Sequence, residues 1–320
     1  MAVATACANI ALVKYWGKRD AALNLPAAGS LSLTLDRLRT YTQVERIDGD
    51  TDELVLDGVQ VEGKALARIS KFVDLVRDTG AVRVTSLNTF PTAAGLASSA
   101  SAFAALAVAT AEAFGKEPSP TELSVLARRG SGSAARSIFD GWSKMNAGVV
   151  EDGSDAAAEP VAIELELCAA IAVANAGEKK IGSTEGMERT RTTSPYHEAW
   201  LATVDRDLGA AIEVARSGDI ERLAEIVEGN SLAMHADAMA ARPGIIYFGP
   251  STLWAIDQVR TMRAEGTPVF FTIDAGPHVV AFTTPDHVDA VAATLIEHPE
   301  VATVLVSKMG EGAHSIEAMP

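Results

Sequence analysis

Four short stretches of the chain combine small, hydroxylated and charged residues in patterns suited to holding phosphates and carboxylates. In FPTAAGLASSASAF, residues 90–103, a proline and a run of small residues lead into an alanine-rich helical segment. A helix start leaves four N–H groups unpaired and carries partial positive charge, so it holds a phosphate where nothing bulky blocks the approach. Gly95, Ala97, Ser98 and Ser99 leave that approach open. The serine hydroxyls can also touch phosphate oxygens or a magnesium ion, as a P-loop serine does, although the P-loop lysine is missing. Serine is equally a favoured helix cap, so this stretch alone does not separate a phosphate site from a capped turn.

GSGSAARS, 130–137, repeats the pattern. Gly130, Ser131, Gly132 and Ser133 precede a second predicted helix, and Arg136 follows Ser133 by three residues, within reach of an anion at the helix start. Two such openings suggest two phosphate-bearing groups, and each alone also reads as a structural turn. NIALVKYWGKRD, 9–20, puts Lys14, Tyr15, Trp16 and Lys18 in an apolar strand. Lys14 is there either an edge residue whose stem covers apolar surface or a cation that keeps a neighbouring carboxylate ionised. The candidate carboxylate is Asp274 in FFTIDAGPHVV, 270–280, where an apolar strand meets a Gly-Pro turn. Aspartate commonly begins turns, but an acid buried behind Phe270, Phe271 and Ile273 needs a hydrogen bond or a cation to stay charged.

These stretches need a scaffold, and periodicity supplies one. Strands are predicted at 3–13, 30–36, 40–47, 53–56 and 81–87, with a helix at 62–78 whose Leu66, Ile69, Val73 and Val76 recur at helical spacing. Helices follow from Ala100, after PSPTE (118–122) and after the second serine stretch. A softer connection at 151–160 precedes a buried or paired strand at 161–175. Helices near 194–216, 219–240 and 250–264, strands PVFFTID and VVAFTT, a helix at 286–297 and a strand at 301–307 complete the chain. Without a repeated βαβ period or a GxGxxG after the first strand, this is an α+β, two-layer pattern and not a Rossmann sheet.

Composition excludes several classes. The 320 residues are 48% apolar and 22% charged, the balance of a globular chain with ample surface to bury. A net charge of −15 opposes non-specific attraction to nucleic acid or an anionic membrane, so an anionic ligand must meet a local basic pocket. Cys7 and Cys168 are too few for a disulfide framework or zinc spacing. No leader pattern and no stretch of about 20 apolar residues is visible, and the expected setting is the cytoplasm.

Taken in order, NIALVKYWGKRD, FPTAAGLASSAS, RRGSGSAARS, KKIGSTEGMERTRTTSP (179–195) and FFTIDAGP resemble the GHMP kinase superfamily. Within it, KYWGKRD and DAGP resemble the diphosphomevalonate decarboxylase branch. The resemblance implies a two-domain fold: a half like ribosomal protein S5 domain 2 over 1–160 and a ferredoxin-like half over 161–320. It implies ATP-dependent decarboxylation of (R)-5-diphosphomevalonate to isopentenyl diphosphate, with ATP and Mg2+ bound and a homodimer as the usual assembly. By motif, Gly95, Leu96, Ala97, Ser98 and Ser99 would cradle the ATP phosphates, with Ser99 also near the metal. Asp274 would orient or deprotonate the substrate hydroxyl, and Lys14 would hold Asp274 ionised. Tyr15, Lys18, Ser131, Gly132, Ser133 and Arg136 would hold the diphosphate and carboxylate, Arg136 taking the carboxylate. Asn9 would fix substrate and Lys14, Ser183 would line the same cavity, and Arg68 on the 62–78 helix would add a diphosphate contact.

Two departures bear on the pocket. His278 stands where the family has asparagine after DAGP, and FDGWSKMNAG (139–148) replaces the usual glycine-glycine-aromatic-valine segment. Three rival readings remain at this stage: a 5-phosphomevalonate decarboxylase, a mevalonate 3-kinase and an inert nucleotide-binding regulator. The presence of Asp274 argues against the second, and the presence of Lys14, Asp274 and the serine loop together argues against the third.

Overall fold

The chain begins with β1 (Ala2–Val13), β2 (Lys18–Asp20), β3 (Leu25–Pro26) and β4 (Ser30–Ile47). Then come β5 (Glu53–Leu56), β6 (Val59–Gln60), α1 (Lys64–Val73), β7 (Ala81–Asn88), α2 (Ser98–Ala113) and α3 (Pro120–Gly130). A 3-10 helix (Gly132–Ile138), β8 (Trp142–Met145) and β9 (Ala158–Pro160) follow. The remainder is β10 (Cys168–Ala174), α4 (Ser183–Thr193), α5 (His197–Ser217), α6 (Ile220–Ala240) and α7 (Pro250–Ala264), then β11 (Val269–Ile273), β12 (Val279–Thr283), α8 (Val288–Leu295), β13 (Val301–Ser307) and β14 (His314–Ser315). This computed structural model describes residues 1–90, 98–175 and 181–320. Gly95, Leu96 and Ala97 of the expected phosphate loop lie outside the described residues.

The α+β expectation holds. One sheet runs β14-β1-β4-β7-β5-β6, with β8 and β9 attached through β4, and a second runs β11-β12-β10-β13. All pairings are antiparallel except β5 with β7. One apolar cluster fills the space between the first sheet and α1, α2 and α3. A larger one joins Ile10, Leu12, Leu31 and Leu33 of the first sheet to Phe270, Phe282 and Ile171 of the second, with α5 and α6 packed into it. The far face of the second sheet is covered by α7 and α8.

An irregularity in β1 aims the first site residue. Ala4 and Ala6 belong to the cluster under α2, whereas Ala8, Ile10 and Leu12, of the same parity, belong to the cluster shared with the second sheet. Strand side chains alternate strictly, so one parity serves both layers only across a register shift. That shift lies between Cys7 and Asn9, and it turns Asn9 toward the 3-10 helix, where its amide donates to the Ser133 carbonyl.

Several predicted boundaries move for identifiable reasons. The two strands expected at 30–36 and 40–47 are one, because Asp36 N–H donates to the Lys308 carbonyl and Arg37 N–H to Ser307 Oγ, so the polar pair is bonded where a turn was expected. The 62–78 helix begins after Gly63 at φ 70° and closes at Val73. Residues 161–167 alternate in exposure like a strand but lie outside the ladder, and only Cys168–Ala174 pairs. The helix expected after the second serine stretch is a 3-10 helix, and α4, β8 and the short hairpin of β2 and β3 were not anticipated.

The start of the second serine stretch is set by the packing of α2 on α3. A Cβ at Gly130 would stand 2.0 Å from Phe103 Cδ1, and Phe103 is buried with no room to retreat. Gly130→Ala is expected to cost about 1–3 kcal/mol as an overpacking change, read as a lowered urea midpoint at unchanged slope.

Candidate active site

Lys14 is the first residue past β1, and Asp274 the first past β11. Their side chains meet, Lys14 Nζ donating to Asp274 Oδ1 at 2.6 Å. The sequence pointed to a buried acid, but the lysine is the buried member at 2% exposure, while Asp274 is 28% exposed. The carboxylate therefore opens toward a cavity with the ammonium behind it. Burial pushes the Lys14 ammonium below the ordinary lysine value; Asp274 opposes that shift and Arg136 adds to it. The Lys14 backbone N–H donates to Asn230 Oδ1 at 2.8 Å, and the Asn230 amide donates to Asp207 Oδ2 at 2.9 Å. Asn9, expected to fix Lys14, instead bonds Ser133, Ser137 and Arg136.

The turn after Lys14 is clamped from α5. Trp200 Nε1 donates to the Trp16 carbonyl at 3.0 Å. Gly17 has φ 120° and faces the His197 ring, 3.2 Å from the position of a Cβ. The positive φ favours glycine, and the close ring leaves little space for a side chain. Tyr15 Oη is buried without a partner and lies 2.2 Å from where a Gly132 Cβ would stand, so the second serine stretch requires glycine at that position. Lys18 Nζ donates to Asn24 Oδ1 at 2.7 Å.

Ser131 ties the two serine stretches together, with Oγ 3.1 Å from Ser99 Oγ and 3.3 Å from Ser133 Oγ. Arg136 is fully buried. Its Nε donates to Ser32 Oγ at 2.9 Å and Asn9 Oδ1 at 3.2 Å, and its Nη1 to Ser30 Oγ at 2.5 Å. These partners are neutral, and burial lowers the guanidinium to about 10. Arg68 lies over the Phe103 ring and donates to the Gly130 carbonyl at 2.7 Å.

One cavity of about 710 Å3 collects these groups. Every described site residue predicted from sequence lines it: Asn9, Lys14, Tyr15, Lys18, Arg68, Ser98, Ser99, Ser131, Gly132, Ser133, Arg136, Ser183 and Asp274. Lys71 and Arg129 also line it. The sequence offered only weak signals for them, a cation on the same helix as Arg68 and the second arginine of RRGSGS. Among the described residues the lining sets six cationic side chains against the single carboxylate of Asp274, the local basic pocket that a chain of net charge −15 needs for a polyphosphate. Among the described residues no group of three or more His, Cys, Asp or Glu side chains could hold a metal ion. Mg2+ keeps most of its waters and binds through nucleotide phosphates with few protein ligands, and Ser99, at the start of α2, lines the cavity.

Two family models cover the chain. The diphosphomevalonate decarboxylase-like N-terminal domain matches residues 6–158, and the mevalonate 5-diphosphate decarboxylase C-terminal domain matches 169–317. The chain belongs to the diphosphomevalonate decarboxylase family. It is 41% identical over 320 residues to diphosphomevalonate decarboxylase mvd1 of Aspergillus fumigatus, covering 92% of this chain and 79% of that protein. The solved structure of MDDEF in complex with MVAPP, AMPPCP and magnesium superposes with a TM-score of 0.93 at 40% identity, covering 99% of both chains. The chain is also 35% identical over 286 residues to phosphomevalonate decarboxylase of Haloferax volcanii, covering 88% of this chain and 87% of that protein.

Both departures from the family pattern have structural accounts. His278 Nδ1 accepts the Ala174 N–H at 3.0 Å, tying the turn after Asp274 to the end of β10. In the 139–148 segment, β8 pairs with Ser30–Leu33 of β4. Its Ser143 Oγ lies 3.2 Å from Ser32 Oγ and donates to the Arg136 carbonyl. The altered segment therefore backs the serines that hold Arg136. Because the Lys14 pKa is depressed, its positive charge is lost at lower pH than that of an exposed lysine. Turnover is expected to fall on the alkaline side through that depressed value, and a kcat–pH profile without an alkaline limb would contradict a charged Lys14.

Proposed function

We propose that the chain catalyses ATP-dependent decarboxylation of (R)-5-diphosphomevalonate to isopentenyl diphosphate, releasing ADP, phosphate and CO2. The observation that carries this reading is the Lys14–Asp274 contact, placed at the wall of a cavity that also holds the serines of both Gly/Ser stretches and Arg136. A tertiary hydroxyl is a poor leaving group, so the C3 oxygen first takes the γ-phosphoryl group of ATP. Asp274 orients that hydroxyl and accepts its proton, and the Lys14 ammonium beside it balances charge as phosphate departs. Mg2+, when bound with ATP, neutralises charge on the transferred group.

Departure of phosphate from C3 takes the C–O electron pair and leaves that carbon electron-poor. Breaking the bond to the carboxylate supplies the electron pair of the new C=C bond, and CO2 leaves. Arg136 holds the carboxylate before this step, and its anchored guanidinium fixes the direction in which the bond must lie. Lys18, Arg68 and the serines at 131 and 133 hold the diphosphate, while Ser98 and Ser99 meet the nucleotide phosphates. We read 1–160 as the nucleotide-binding half and 161–320 as the half that supplies Asp274. The two sheets support this division.

The Haloferax relative gives a specific reason to test the monophosphate. Carboxyl-labelled 5-diphosphomevalonate and 5-phosphomevalonate, each with ATP and Mg2+, separate the readings. CO2 release from the diphosphate is expected; release only from the monophosphate moves the substrate assignment, and ADP without CO2 makes the protein a kinase. Asp274→Asn is expected to lower turnover by about three orders of magnitude with ATP affinity nearly intact. Arg136→Lys is expected to lower kcat/KM by at least about tenfold, since one ammonium cannot serve Ser30, Ser32 and Asn9 together and still face the cavity.

A further inference from the structure

The polar side chains along one side of α6 lie outside the cavity lining and touch no reacting group, yet they are buried: Glu228, Asn230, Ser231 and His235. Each meets a backbone. β11 is the edge strand of the second sheet, so alternate N–H and carbonyl groups on its outer side have no neighbouring strand. Glu228 Oε1 accepts the Phe271 N–H at 3.2 Å. Ser231 Oγ accepts the Ile273 N–H at 3.0 Å and donates to the Ile273 carbonyl at 3.3 Å. His235 Nε2 donates to the same carbonyl at 3.2 Å.

Positions 228, 231 and 235 form one stripe on a helix, and that stripe replaces the missing strand along the last residues before Asp274. One position round the helix, Asn230 takes the Lys14 backbone N–H. Because a carbonyl can only accept, His235 carries its proton on Nε2. Burial lowers its pKa to about 4, so the ring is neutral and keeps that role over the working range. Its ring lies against that of Phe248, centroids 4.5 Å apart and planes tilted by 47°.

We propose that α6 is the positioning element of the reaction: Asn230 registers the Lys14 backbone while Ser231 and His235 register that of Ile273, the residue before Asp274, so one helix fixes both ends of the ion pair. The inference rests on the roles given above to Lys14 and Asp274. Neither Ser231 nor His235 touches substrate; both act through the peptide that carries the carboxylate. If that peptide drifts, Lys14 loses carboxylate support, while burial and the nearby Arg136 continue to lower its pKa. The charged groups that act on it are Asp274 and Arg136, while Asp207 on α5 reaches only its backbone, through Asn230.

His235→Phe keeps a ring against Phe248 and deletes the donor, whereas His235→Gln restores a donor near Nε2. His235→Phe is expected to lower kcat by about ten- to a hundredfold with KM for ATP within about twofold, and to move the alkaline limb of kcat to lower pH. His235→Gln should recover most of both, and Ser231→Ala should move them in the same direction as His235→Phe. An unchanged kcat, or a loss that leaves the alkaline limb in place and is not rescued by Gln, overturns the role of α6. Asp274→Asn is run alongside. If it turns over normally the chemical reading itself fails, whereas a dead Asp274→Asn with normal α6 variants sinks only this inference.

Discussion

The contact between Lys14 and Asp274 spans 260 positions of sequence and joins the residue just past a strand of one sheet to the residue just past a strand of the other. An ammonium buried to 2% exposure is costly unless a carboxylate meets it, since desolvation penalises the charged form by several kcal/mol. Lys14 therefore cannot be left alone by any movement between the two sheets. The shared apolar cluster that includes Ile10, Leu12, Phe270 and Phe282 holds the strands that deliver both residues. Asn230 and the stripe on α6 then fix their final approach. The site is a consequence of how two sheets are packed against a common pair of helices.

A second constraint is charge. The chain carries an excess of 15 negative charges, while the cavity gathers Lys14, Lys18, Arg68, Lys71, Arg129 and Arg136. Several of these cations are depressed by burial: Lys18 and Arg68 as well as Lys14 and Arg136. A cation whose charged form is penalised by desolvation gains most from an incoming phosphate, because the ligand restores the favourable field that water no longer supplies. Polyphosphate binding therefore complements the field of this cavity. The acidic remainder of the surface discourages longer anionic polymers from competing.

The chemistry was more legible in the sequence than the positioning. Lys14, Ser131, Ser133, Arg136 and Asp274 stand in short motifs whose residue types announce phosphate and carboxylate work, and the fold gathers them round one cavity. Asn230, Ser231 and His235 sit in the ordinary amphipathic run of α6, where a polar residue at helical spacing carries no mark of what it faces. Ser30 and Ser32 were read simply as parts of a strand. Only the three-dimensional pairing of β4 with the 3-10 helix shows that they receive Arg136. The bulge in β1 is invisible for the same reason: alternation looked continuous through Ala8, yet the face it served had changed. Local signals report what a residue can do, and register reports where it does it.

Arg136 shows why register matters to the reaction. A free arginine side chain loses roughly 2 kcal/mol of rotamer entropy when it is fixed, and a mobile guanidinium would hold a carboxylate in many orientations. Here Nε and Nη1 are already committed to Ser30, Ser32 and Asn9, and Ser143 stands behind Ser32. That entropy is lost on folding, so under the role proposed for Arg136 it does not have to be lost again when substrate arrives and the gain from carboxylate binding goes into orientation. Decarboxylation needs the breaking bond aligned with the empty orbital at the neighbouring carbon, and a cation held by three neutral acceptors supplies alignment without cancelling its own charge. Replacing any of those serines by an acid would strengthen the anchor and weaken the site, because the guanidinium would then reach the substrate already neutralised. The neutral character of the cradle is thus what the role proposed for Arg136 requires of the fold around it.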